Sequence, residues 1–60
     1  MKNLNTSQLY EAISKFTFTG KISVDLLNRI IYDNFKKRRI GLLDNHQLEK
    51  LLEILEKNHG

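Results

Sequence analysis

One helix-start pattern recurs three times along this chain and constrains its fold more than any other feature. In each copy an apolar residue precedes a capping residue, and a second apolar residue follows at the fourth helical position, the spacing of a hydrophobic staple. Leu4-Asn5 pairs in this way with Leu9, Ile22-Ser23 with Leu27, and Leu43-Asp44 with Leu48. Asn, Ser and Asp cap helices because their side-chain oxygens accept the backbone N–H groups that the first turn leaves unpaired. Gln8 and Gln47 stand three residues after Asn5 and Asp44, so two of the starts also carry a capping box.

The residues after each start keep helical periodicity. Leu9, Ala12, Ile13 and Phe16 share one face, predicting a first helix over residues 6–16. Thr17-Phe18-Thr19 then favours extended chain, and Gly20 suits a positive φ. A second helix is predicted from Val24 to Arg39, closed by Gly41 as a left-handed cap. A third is predicted over residues 45–57, with Leu48, Leu51, Leu52 and Leu55 on one stripe and Ile54 at its edge. The expected fold is a single all-α, three-helix domain spanning residues 1–60. Helices 2 and 3 lie only a few residues apart and should form an antiparallel or angled hairpin. The expected core is Leu9, Ile13, Phe16, Leu27, Ile31, Phe35, Leu48, Leu51, Leu52 and Leu55.

Helix 2 carries more apolar surface than one neighbour needs. Val24, Leu26, Leu27, Ile30, Ile31 and Phe35 cover about half its circumference at 100° per residue, and Tyr32 widens the arc. Either this helix is central and packs on both neighbours, or part of its face meets a second chain, as in a homodimer. Oligomerisation is a common support for chains this short, because a globule of 60 residues buries only about 60% of its unfolded surface.

Composition narrows the function. The chain has no cysteine, so neither a disulfide nor a thiolate metal site is available. Its longest apolar run is Ile30-Ile31-Tyr32, against the roughly 20 residues a membrane helix requires. The N-terminal residues lack the apolar core of a signal peptide. A cytosolic protein with no membrane partner is therefore expected, and Met1 favours a natural start. The bias toward Asn, Lys, Ile and Leu, with one Ala, fits an AT-rich coding sequence of bacterial or phage type.

Gly20-Lys21-Ile22-Ser23 and Gly41-Leu42-Leu43-Asp44 echo one another, and each precedes a helix. Taken as the glycine of a calcium-binding helix–loop–helix, Gly20 would place Lys15, Thr17, Thr19 and Leu26 at ligand positions. Gly41 would place Lys36, Arg38, Ile40 and Gln47 there. None is a carboxylate, so calcium is excluded and the echo reflects two helix starts built alike. No metal and no cofactor are expected: His46 and His59 lack a partner at helical ligand spacing, and no glycine-rich phosphate loop occurs. Ser7 and Ser23 read as cap or near-cap residues, nothing suggests a base to activate Ser14, and Glu49, Glu53 and Glu56 form an acidic ridge on helix 3. No catalytic residue emerges, and the chain is expected not to be an enzyme.

Charge is the functional lead. Of the net +3, residues 29–39 contribute +4 (five cations, one acid), residues 44–60 contribute −2, and residues 1–28 contribute +1. Lys36, Lys37, Arg38 and Arg39 dominate, with Arg29 and Tyr32 as further candidates for partner contact. One or two cations suffice to stabilise a helix C-terminus, so the surplus points to an acidic partner. A small regulatory or interaction protein that binds another protein is the favoured reading. The alternative is a DNA- or RNA-binding regulator that uses the basic end of helix 2. In that alternative helix 3 would read the major groove through Asn45, His46 and Gln47, but its acidic ridge opposes phosphate.

Overall fold

The caps act as their residue types dictate. In the computed structural model, which describes residues 5–59, α1 spans Thr6–Phe18, α2 Val24–Phe35 and α3 Asn45–His59. At the head of α1 the Gln8 amide donates to Asn5 Oδ1 at 2.8 Å, and the Asn5 amide donates to Gln8 Oε1 at 3.0 Å. Asp44 and Gln47 exchange the same two bonds at 2.8 and 3.1 Å before α3, while Ser23 Oγ accepts from the Leu26 amide at 3.0 Å before α2. Ile22 and Leu27 are both buried, as are Leu43 and Leu48, so these two staples close. Leu4, the outer half of the first staple, lies outside the described residues.

Where the helices stop differs from expectation. α1 runs through Phe18, two residues past the predicted end, because its threonines bond backward. Thr17 Oγ1 donates to the Ser14 carbonyl at 2.9 Å and Thr19 Oγ1 to the Lys15 carbonyl at 2.6 Å, satisfying acceptors of the last turn. Of the expected extended stretch over 17–19, Thr17 and Phe18 are thus helical and Thr19 is the C-cap, and the chain reverses at Gly20, whose φ is +77°. Ile22 is then drawn inward, its amide donating to the Phe16 carbonyl at 3.1 Å.

α2 ends at Phe35, four residues before the predicted Arg39. Its left-handed cap is Lys36, at φ 59° and ψ 30°, rather than Gly41. Gly41 sits instead in a short 3₁₀ turn over Ile40–Leu42. Two causes favour the early stop. A continued helix would hold four cations in one turn, and it would carry Ile40 and Leu43 away from the core they pack against. The connection to α3 therefore takes nine residues, 36–44, rather than a few. α3 continues to His59, two residues past expectation.

Three α-helices and no strand occur among the described residues, an all-α domain. α1 and α3 are the closely packed pair. Their first residues touch, Thr6 Oγ1 donating to Asn45 Oδ1 at 2.6 Å, and their C-terminal halves share a groove between Phe16 and Leu52, so they run in the same direction. α2 returns between the end of one and the start of the other. The core is wholly apolar: Leu9, Ile13, Phe16, Ile22, Leu27, Ile31, Leu43, Leu48, Leu51 and Leu55. Phe35 and Leu52, expected inside, are only partly buried at its margin, while the staple residues Ile22 and Leu43 take full places.

Two stability outcomes follow. Leu51→Ala removes a fully buried side chain and should cost about 2–5 kcal/mol in urea denaturation, a large share of the total for a domain this small. Lys36→Gly should raise stability by about 0.5–1 kcal/mol, because glycine holds positive φ without the steric cost a Cβ carries there.

A basic loop as the candidate binding surface

The early stop of α2 places the cluster on a loop. Lys36, Lys37, Arg38 and Arg39 do not form a helix end, and α2 has no basic residue in its last turn. Lys36 turns back so that its Nζ lies 5.4 Å from the centroid of the Tyr32 ring, a cation–π contact. Arg38 and Arg39 are exposed and Lys37 is partly buried. The Tyr10 hydroxyl reaches across from α1 to the Ile40 carbonyl at 3.4 Å, beside the base of the loop. Among the described residues no carboxylate lies within the 4.0 Å ion-pair distance of any of these four cations.

The end of the molecule that bears this loop also holds the starts of α1 and α3, since the connection leads directly into α3. The run from Lys36 to Arg39 therefore stands at that end. Apolar groups flank it: Tyr32 is 52% exposed and Leu42, in the 3₁₀ turn, 55%. Of the six sequence candidates, the fold brings Tyr32 and Lys36 into contact and sets Lys37, Arg38 and Arg39 beyond them. Arg29 is less closely joined. It lies one turn before Tyr32 on α2, with Asp25 and Asp33 four residues to either side, and it borders a shallow hollow with Ser23, Asp25 and Leu26. Opposite charges on both sides dilute its contribution.

Sequence reasoning left out Leu42 and Phe18. Phe18, 87% exposed, falls off the apolar stripe of α1 by the same 100° rule that places Phe16 inside. Once the helix is allowed to reach Phe18, its exposure is readable.

The wide apolar face of α2 divides. Leu27 and Ile31 enter the core, Leu26, Ile30 and Phe35 pack at its margin, and Val24 and Tyr32 stay open. On α3 the carboxylates of Glu49, Glu53 and Glu56 face solvent. Among the described residues no three His, Asp or Glu side chains gather to hold a metal ion, and no helix is long and apolar enough to cross a membrane. No family model, curated protein or solved structure matches this chain.

The two arginines contribute little to holding the fold together, because they are exposed and have no ion-pair partner among the described residues. Arg38→Ala and Arg39→Ala should each shift the unfolding free energy by no more than about 0.5 kcal/mol in chemical denaturation, which separates their role from that of the core.

Proposed function

We propose that this chain is a non-enzymatic binding module that docks its basic loop on an acidic surface of another protein, as a small cytosolic regulator or adaptor would. The observation that carries this reading is the run from Lys36 to Arg39. Three exposed cations and the partly buried Lys37, all without a carboxylate partner among the described residues, stand beside a half-exposed tyrosine and leucine. Unpaired like charges on a short loop repel one another, and an acidic partner relieves that repulsion. It also accelerates encounter by electrostatic steering. Tyr32 and Leu42 supply what charge alone lacks, apolar area that a partner can cover. Tyrosine and arginine are the residue types that concentrate binding energy at protein interfaces.

Nucleic acid is a weaker fit. The nine-residue connection before α3 is much longer than the turn of about 3–4 residues in a helix-turn-helix, and the outward face of α3 presents Glu49, Glu53 and Glu56 toward any phosphate backbone.

The test uses the whole chain as bait in host lysate, with and without nuclease, beside a variant carrying Lys36→Ala, Lys37→Ala, Arg38→Ala and Arg39→Ala. Capture of a defined protein that survives nuclease, weakens with salt and disappears with the variant is expected. Loss of capture on nuclease treatment, or equal capture by the variant, would overturn the proposal.

A further inference from the structure

A second exposed apolar feature lies at the end of the molecule away from the basic loop. Phe18 closes α1 with its ring 87% exposed, and Val24 stands 61% exposed just past the turn that follows. At the same end the C-terminal halves of α1 and α3 leave an open groove of about 380 Å³. Its walls are Ala12, Phe16 and Leu52, and Lys15, Lys21 and Glu56 form its rim. At 100° per residue, Lys15 projects between Phe18 and Ala12, so the exposed ring and the groove flank one side of the same helix. Phe18 does not line the groove of its own chain.

We infer that this end is a self-association surface, on which two copies pair about a two-fold axis and each Phe18 enters the groove of the other. A two-fold interface must be complementary to itself, and this patch is. It offers an aromatic projection and an apolar recess, and its rim carries both signs of charge. In the proposed pair Glu56 of one copy meets Lys15 and Lys21 of the second, and the two-fold axis repeats the contact. Among the described residues none of the three is engaged in an ion pair within its own chain, although Lys21 Nζ rests 5.7 Å over the Phe16 ring. The basic loop is the opposite case. Pairing copies there would bring four cations against four, with no acid to separate them. Burial at the Phe18 end also supplies apolar area that a 60-residue domain cannot gather alone. The dimer leaves the loop free, so this inference stands on a different surface and a different partner from the proposed function.

Sedimentation equilibrium of the intact chain, from about 10 μM to 1 mM, reads the association directly. A monomer–dimer equilibrium is expected within that range. Phe18→Ser should weaken it at least about 100-fold, since two rings leave the interface, with helicity by circular dichroism unchanged because the side chain is exposed in the monomer. Ala12→Phe, which fills the groove, should weaken it too. If Ala12→Phe perturbs the fold, dilution-dependent amide shifts at Ala12 and Leu52 in the unaltered chain report on the same recess. The four-alanine loop variant should dimerise at least as well as the parent. A chain that stays monomeric throughout, a Phe18→Ser variant that associates as tightly as the parent, or a dimer lost with the loop cations would each overturn the inference.

Discussion

Every large apolar side chain that can reach the centre of this small domain is needed there, and the rest of the structure follows from that demand. Three short helices do not supply a full core by themselves. Ile22 and Leu43, which belong to connections rather than helices, complete it. Each stands just before a cap, so its burial fixes where the next helix starts and how the chain enters it. The Ile22 amide bonds the Phe16 carbonyl, and Leu43 closes the 3₁₀ turn through its amide to the Ile40 carbonyl at 3.0 Å. The connections are therefore tightly held at the residues that enter the core.

The position of the basic cluster is a consequence of the same constraint. For Leu43 to enter the core and Ile40 to pack against it, the chain must leave α2 early and turn back, and it does so at Lys36 in a left-handed conformation. Left-handed geometry is costly for a residue with a Cβ, and no glycine stands there to relieve it. Burial of Ile40 and Leu43 outweighs that local cost. As a result four cations that helical periodicity would distribute around a cylinder are gathered on one solvent-facing loop. Their exposure is thus a product of packing elsewhere.

Much of this was legible in the residues themselves. Asn5, Ser23 and Asp44 announced all three helix starts, and the stripe of Leu48, Leu51 and Leu55 announced the inward face of α3. Local chemistry decides these features, so local pattern reveals them. The C-terminal ends were less legible. Thr17 and Thr19 favour strand by intrinsic preference, but once α1 is packed their hydroxyls find the Ser14 and Lys15 carbonyls, and the helix continues. Gly41 was the natural cap by residue type, yet the reversal fell at Lys36. The candidate surface divides along the same line: the charge of residues 36–39 is plain in the sequence, whereas its lack of carboxylate partners among the described residues and its company with Tyr32 and Leu42 depend on where the loop lies.

The sequence by itself determined that the chain is helical, where each helix begins and which stripe of each turns inward, because capping and periodicity act over only a few residues. It also determined the amount and sign of the charge between Arg29 and Arg39. Only the tertiary structure decided where α1 and α2 end, that Ile22 and Leu43 are core while Phe35 and Leu52 are margin, and that Phe18 and the basic loop face solvent at opposite ends. Those outcomes depend on how elements distant in sequence pack together, as α1 does on α3, and the gain in buried apolar surface exceeds the local preferences that a linear reading can weigh.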